Sequence, residues 1–183
     1  LYLPQTATPR AAVVVLSGCD GVGPHYREWA DRLARWGYAA LLIDSFNPRG
    51  YASVCSRGRL VPPELRAQDA FAGAAYLRGR RGLARVGVIG FSHGGWTVLK
   101  AVLAGVARPP TVAPFDAAVA YYPACNTPGS PLETDTLILI GSADDWTPAS
   151  NCERWRSLVA ANGHTVQTVV YPGAVHAFDG LAP

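Results

Sequence analysis

The sequence contains no methionine, few charged residues and no long uninterrupted apolar run. Of its 183 residues, 49% are hydrophobic and 16% are charged, a composition too apolar for a disordered chain. No run approaches the roughly 18 apolar residues that a membrane-spanning helix needs, so we expect no membrane partner. A net charge of +3 is too small for a nucleic-acid-binding surface. We therefore expect one soluble globular domain over residues 1–183, and the absence of methionine predicts a processed, trimmed or fragmentary chain.

Short apolar runs rich in β-branched residues alternate with segments of helical spacing. Runs of this kind predict strands that are buried on both faces, which is typical of a parallel sheet covered by helices. The predicted strands cover residues 11–16, 38–43, 86–89, 117–121, 136–140 and 166–170, and the predicted helices cover residues 26–36, 63–78, 95–107 and 148–161. This alternation predicts an α/β doubly wound, mostly parallel sheet of about six strands.

One pentapeptide carries a nucleophile motif, Gly90-Phe91-Ser92-His93-Gly94. It lies between a predicted strand and a predicted helix, where a sharp turn lifts the serine hydroxyl above the sheet and leaves no room for a Cβ on the flanking residues. A serine that merely caps the helix is the alternative. We predict that Ser92 is a catalytic nucleophile.

A serine nucleophile needs a base, and the base needs an acid. His176 follows the last predicted strand, and it is favoured over His25, His93 and His164 because this arrangement runs in the chain order Ser, acid, His. Asp144 and Asp145 follow the fifth strand. We predict that Asp144 is the acid, since its neighbour more naturally begins the turn into the next helix. Asp20 and Asp44 precede the serine and are expected to shape or line the mouth of the site.

Other residues near these motifs have predicted supporting roles. The backbone N–H groups of Cys19 and His93 are expected to form an oxyanion hole. Aromatic residues cluster around the motifs, and their usual role is core packing. Some are nevertheless candidates for a substrate pocket: Trp96, Tyr122, Trp146 and Phe178.

The four cysteines show neither a Cys-x-x-Cys pair nor a zinc-ligand spacing, and we expect no metal or cofactor. They are expected near the rim that carries the site. Pairing Cys19 with Cys55 and Cys125 with Cys152 would tie loops of the site to the scaffold. Such bonds favour a periplasmic or secreted protein, whereas four reduced thiols in a cytoplasmic protein are the alternative.

Over nearly its whole length the chain resembles the dienelactone hydrolase family of α/β-hydrolases. The resemblance rests on six segments: Leu16–Gly21, Trp29-Ala30 with Gly37-Tyr38, Asp44–Gly50, Gly90–Gly95, Gly141–Pro148 and Tyr171–Phe178. It implies the α/β-hydrolase fold, in a minimal form without a lid domain, and triad roles for Ser92, Asp144 and His176.

Three departures from the family pattern bear on the substrate. Ser92 stands where the best-known members have a cysteine nucleophile, and Gly18 stands where they have a glutamate after the first strand. After His176, Phe178-Asp179-Gly180 replaces an arginine that holds a substrate carboxylate in those members. These differences favour general carboxylic esters as substrates. The alternatives are a dienelactone-type lactone hydrolase and a non-catalytic binding module on the same fold.

Overall fold

The computed structural model describes residues 1–5, 8–9, 11–80, 82–105, 108–159 and 162–180. Its strands are β1 (Ala12–Leu16), β2 (Ala39–Ile43), β3 (Val86–Phe91), β4 (Ala118–Tyr121), β5 (Thr136–Gly141) and β6 (Val166–Tyr171). Its helices are α1 (Pro24–Arg35), α2 (Pro63–Arg78), α3 (His93–Ala101) and α4 (Ala149–Leu158), with a short 3-10 helix at Asn47–Arg49. The predicted α/β class and the number of strands are confirmed.

The six strands form one parallel sheet in the order β2-β1-β3-β4-β5-β6. Successive strands move from β1 outwards to β2 and then back past β1 to β3, so the winding direction reverses beside β1. Leu16 at the end of β1 pairs with Ile43 and with Gly90. The segments that follow these strands therefore leave the same edge of the sheet, which is where open α/β sheets bind their ligands.

Helices cover both faces of the sheet, which explains why the strands are apolar without alternation. Val14 and Leu16 point to the face that is covered by α2 and α3, and α4 covers the same face over β5 and β6. Val15 points to the other face, where it meets α1 through residues such as Trp29 and Leu33. None of the helices in the described part of the chain is both long enough and apolar enough to cross a bilayer.

Element bounds differ from the predicted ones mainly around the turns that form the site. Helix α3 begins at His93, directly after Ser92, rather than at Gly95, because Gly94 and Gly95 pack tightly there instead of delaying the helix. Pro148 has an extended backbone and precedes α4 rather than lying in its first turn. Both helices also end earlier than predicted, α3 at Ala101 and α4 at Leu158, and the predicted ends, Ala107 and Ala161, lie outside the described residues.

Candidate active site

Ser92 occupies a strained turn between β3 and α3. Its backbone has φ 51° and ψ −111°, a region that side-chain-bearing residues rarely adopt. A methyl group on Gly90 would overlap the carbonyl of Gly94, and one on Gly94 would overlap the carbonyl oxygens of Leu16 and Ser17. The glycines of the motif are therefore required by close backbone approach, as the sequence indicated.

Ser92, His176 and Asp144 form one continuous hydrogen-bonded chain. The Ser92 Oγ lies 2.9 Å from Nε2 of His176, and Nδ1 of the same ring lies 2.8 Å from Oδ2 of Asp144. The two side chains that bond to the ring come from loops that follow β3 and β5, and His176 follows β6. The structure thus brings together the three residues that the chain order selected.

Asp144 is fixed by its own turn. Its Oδ1 accepts hydrogen bonds from the N–H groups of Trp146 at 3.0 Å and Thr147 at 2.8 Å, and its Oδ2 accepts one from the Thr147 hydroxyl at 2.8 Å. The Asp144 side chain is fully buried, whereas Asp145 is exposed beside the cavity. The backbone donors hold one carboxylate oxygen so that the other faces His176.

The other histidines have different surroundings. His93 is buried, and its two ring nitrogens contact Arg66 and the carbonyl of Gly58. His164 lies at the opposite edge of the sheet, 3.8 Å from a carboxylate oxygen of Asp135. His25 lines the same cavity as Ser92, but its Nε2 lies 3.2 Å from Asp179. Among the described residues, only the ring of His176 is hydrogen-bonded to Ser92.

A cavity of about 610 Å³ opens above the serine. Of the predicted pocket residues, Tyr122 and Trp146 line it. Trp146 stacks on the His176 ring with centroids 5.2 Å apart, and Tyr122 meets that ring edge-on at 4.8 Å. These two aromatic side chains therefore form walls on either side of the base.

Trp96 and Phe178 do not belong to this lining, which corrects the prediction for both. Trp96 does not line the cavity: its ring meets the His93 ring edge-on at 5.6 Å, and its Nε1 donates to Thr127 Oγ1 at 3.2 Å. Phe178 packs down onto the sheet against Tyr121 and Tyr122. A position close to a motif in the sequence does not place a side chain in the cavity, because the packing of neighbouring elements decides where the side chain lies.

Of the two earlier acids, only Asp20 lines the cavity, where its carboxylate accepts a hydrogen bond of 2.7 Å from the Tyr26 hydroxyl. Asp44 instead accepts hydrogen bonds from the backbone of Phe46 and from Asn47. These bonds lower the pKa of Asp44 although burial opposes the shift. Asp44 thus shapes the loop after β2.

Asp179 has a structural role that the sequence did not predict. Its buried carboxylate accepts hydrogen bonds from the Tyr122 hydroxyl at 2.6 Å and the Trp29 indole at 2.8 Å, and His25 lies beside it. Burial and the charge of Asp179 raise the pKa of Tyr122. Because Asp179 lies three residues after His176, these contacts anchor the loop that carries the base. Trp29 is 150 positions away, so no local sequence signal could have shown this.

The charges around the cavity are acidic. Its lining includes the carboxylates of Asp20 and Asp145 and the rings of His25 and His176. No lysine or arginine contributes to this lining within the described residues. The same residues contain no group of three His, Cys, Asp or Glu side chains placed to hold a metal ion.

Two disulfide bonds support the site, Cys19–Cys55 and Cys125–Cys152. The predicted pairing is therefore confirmed. Cys19 and Cys55 both line the cavity, so the first bond joins the segment after β1 to the long loop after β2. The second bond joins the segment after β4 to helix α4.

The backbone N–H groups of Cys19 and His93 have no hydrogen-bond acceptor among the described residues. Cys19 lies in the segment after β1, and His93 is the first residue of α3. The tight packing of Gly94 against the carbonyl groups of Leu16 and Ser17 keeps these two segments together.

The chain is similar to known proteins over nearly its whole length. Residues 1–180 match the model of the dienelactone hydrolase family. A carboxymethylenebutenolidase-like protein of Methylorubrum extorquens is 28% identical over 192 aligned positions, which cover 96% of this chain and 66% of that protein. The chain thus spans about two thirds of the length of this curated relative.

Solved structures show the same fold. A dienelactone-hydrolase-like protein from Klebsiella pneumoniae superimposes with a TM-score of 0.77 and 27% identity, covering 97% of this chain and 80% of that one. The propionate-bound structure of a thermophilic esterase from Thermogutta terrifontis gives a TM-score of 0.76 at 18% identity, with 99% and 80% covered. Together with the six-stranded sheet, these matches establish the α/β-hydrolase fold. The family match extends over almost the whole sequence, and the chain belongs to the dienelactone hydrolase family.

Proposed function

We propose that this protein is a serine carboxylic-ester hydrolase that acts through an acyl-enzyme intermediate. The observation that carries the proposal is the hydrogen-bonded chain from Ser92 through His176 to Asp144, with distances of 2.9 Å and 2.8 Å. Distances of this size allow direct proton transfer between the hydroxyl and the ring. Ser92 and His176 line a cavity that is large enough for a small ester.

In the first half of the reaction, Nε2 of His176 takes the Ser92 hydroxyl proton while Oγ attacks the ester carbonyl carbon. The negative charge that develops on the carbonyl oxygen is bound by the N–H groups of Cys19 and His93. Asp144 accepts the Nδ1–H hydrogen bond and stabilises the imidazolium. The imidazolium then protonates the departing alkoxide, and an alcohol leaves.

In the second half, His176 deprotonates a water molecule that attacks the acyl-Ser92 carbonyl. The tetrahedral intermediate again places its negative charge on the two backbone N–H groups. Collapse of the intermediate breaks the bond to Oγ, which recovers its proton from His176 and releases the carboxylic acid. Over the whole cycle the Ser92 proton leaves with the alcohol and a proton from the attacking water replaces it, so Ser92 and His176 return to their starting protonation states.

The charges of the cavity favour substrates without a carboxylate. Asp20 and Asp145 would repel an anionic substrate, and Asp179 occupies the region after the base where the resemblance leads one to expect an arginine. Lactone hydrolysis is the second candidate, supported by the family match and by the name of the Methylorubrum relative. The same triad opens a lactone ring, and here the alcohol remains tethered to the acid.

The experiment measures turnover of 4-nitrophenyl butyrate, of its anionic hemisuccinate counterpart and of dienelactone. We expect the neutral ester to be hydrolysed fastest, and Ser92→Ala to lower its kcat by a factor on the order of 10⁴ or more. A fluorophosphonate probe should modify Ser92, as located by mass spectrometry. Ser157→Ala changes an exposed serine in α4 and is the control.

The outcomes separate the candidates. Unchanged turnover in Ser92→Ala would rule out the mechanism. Faster turnover of dienelactone than of the neutral ester would favour the lactone hydrolase, and the absence of both turnover and probe labelling would leave a binding module.

We further propose a periplasmic or secreted location, which the two disulfide bonds support.

A further inference from the structure

Arg66 is a completely buried cation on helix α2, behind the segments that flank the serine. Its exposed fraction is 0%, and it stacks its guanidinium over the Phe46 ring at 4.6 Å. No carboxylate pairs with it within the described part of the chain, since Asp69 on the same helix is bound at 2.8 Å by both terminal nitrogens of Arg49. Burying an unpaired guanidinium is costly, which calls for an explanation of its position.

The guanidinium makes two short hydrogen bonds to different segments. One terminal nitrogen donates to the carbonyl oxygen of Ser17 at 2.8 Å, and the other donates to Nδ1 of His93, also at 2.8 Å. Nε2–H of His93 donates to the carbonyl of Gly58 at 2.8 Å, which leaves Nδ1 as the acceptor. Burial, assisted by the Arg66 charge, lowers the pKa of His93 to about 4, so this ring stays neutral at pH 7.

These two partners belong to the two halves of the proposed oxyanion hole. Ser17 begins the segment whose Cys19 N–H faces no acceptor in the described structure, and His93 supplies the second N–H. One planar fork therefore connects both donor segments. Lysine could not replace it, because an ammonium is a point charge without the fork geometry.

We propose that Arg66 is a positioning residue of the oxyanion hole, holding the Cys19 and His93 segments at a fixed separation and placing a positive charge behind their N–H groups. The inference rests on the proposed function. Preorganised donors of this kind stabilise charge that develops only in the transition state. Arg66 should therefore contribute to the chemical steps and little to the binding of the uncharged substrate.

The test replaces Arg66 with methionine, lysine and glutamine and compares each variant with Arg78→Met. Arg78 lies on the same helix and donates to the carbonyl groups of Ala113 and Pro114 and to Asp116, so its loss removes comparable bonds elsewhere. The measurements are kcat/KM for 4-nitrophenyl butyrate and the inhibition constants of two matched ketones. A trifluoromethyl ketone forms an oxyanion adduct with the serine, whereas the methyl ketone that carries the same alkyl group binds as a neutral molecule.

We expect Arg66→Met to lower kcat/KM by about 10- to 100-fold and to weaken the trifluoromethyl ketone in parallel, because one oxyanion donor is typically worth 10² to 10³ in kcat. The methyl ketone should bind unchanged, and Arg78→Met should keep wild-type kinetics. If Arg66→Met does not fold, the lysine and glutamine variants are measured in the same way, and each should lower kcat/KM and weaken the trifluoromethyl ketone relative to wild type while leaving the methyl ketone unchanged.

The proposal is overturned if a folded Arg66 variant keeps its kcat/KM and its affinity for the trifluoromethyl ketone. It is also overturned if both ketones weaken equally, because the effect would then be on the cavity rather than on the oxyanion. The wild-type turnover that tests the proposed function is measured first, so its failure is distinguishable from this result.

Discussion

Two adjacent aspartates with different surroundings show how a single residue acquires its role. Asp144 has a fully buried side chain and accepts hydrogen bonds from two backbone N–H groups, from Thr147 and from His176. Asp145 is exposed at the cavity. The carboxylate that orients the ring must be an acceptor only, whereas an exposed carboxylate at the wall affects the reaction mainly through its charge.

We therefore expect Asp144→Asn to lower kcat for a neutral ester by a factor on the order of 10⁴, because the amide favours the wrong imidazole tautomer. Asp145→Asn is the matched control and should change kcat by less than about tenfold, the scale of an exposed charge. Steady-state kinetics with 4-nitrophenyl butyrate measure both. Equal losses in the two variants would show that the acid has been assigned wrongly.

Residues with a local backbone signature could be predicted from the sequence, and residues defined by distant contacts could not. Ser92 lies in a glycine-rich turn, and His176 and Asp144 each follow a strand. Asp179 and Arg66 carry no such signature. Their partners come from segments that only the parallel sheet brings together, such as Trp29 for Asp179, and an alternating pattern of strands and helices does not reveal which side chains meet.

At the scale of elements, proline and glycine mark some helix ends correctly and one wrongly. Helix α2 begins at Pro63 and ends at Arg78 before Gly79, as predicted. The predicted start of helix α3, at residue 95, is two residues later than the observed start at His93. The two glycines that follow His93 are residues that usually disfavour a helix interior. Here Gly95 lies against the Tyr121 carbonyl, where a side chain would clash. Close packing of elements therefore overrode the helix propensity.

His93 connects three elements, and this arrangement predicts a dependence of stability on pH. Its ring joins α3 to Arg66 of α2 and to Gly58 of the long loop, and burial lowers its pKa from 6.5 to about 4. Between these values the unfolded chain binds a proton at this position and the folded chain does not. The free energy of unfolding must therefore fall as the pH drops from about 6.5 towards 4.

His93→Gln removes the titration while keeping an amide that can bond to both partners. From pH 7 to pH 4.5, we expect wild type to lose about 2–3 kcal/mol more unfolding free energy than the variant. Urea denaturation at the two pH values measures this difference, and the remaining histidines cancel in the comparison. Parallel losses in the two proteins would mean that the buried ring is already protonated or does not contribute.

At the scale of the whole molecule, cross-links and sheet order together place the site. The reversal of strand order beside β1 brings the segments after β1 and β3 together, and the Cys19–Cys55 bond ties the long loop after β2 to the same edge. Cys125 and Cys152 do not belong to the lining of the cavity, and their bond joins buried positions in the segment after β4 and in α4. Loss of either bond should therefore lower the unfolding free energy by a similar amount, whereas only loss of Cys19–Cys55 should lower the catalytic activity.

Replacing each cysteine pair by alanines tests this difference. The bonds close segments with sequence separations of 36 and 27 residues, so either loss should lower the unfolding free energy by about 3–4 kcal/mol in the chain-entropy account. Loss of Cys19–Cys55 should also lower kcat, because the Cys19 N–H then sits in a less constrained segment, whereas loss of Cys125–Cys152 should leave kcat unchanged at temperatures where the protein stays folded. Denaturant melts and ester turnover, recorded on both double variants, measure the two effects separately. A fall in kcat on removing Cys125–Cys152 alone would show that the rigidity of the whole edge, rather than of the segment after β1, governs the chemistry.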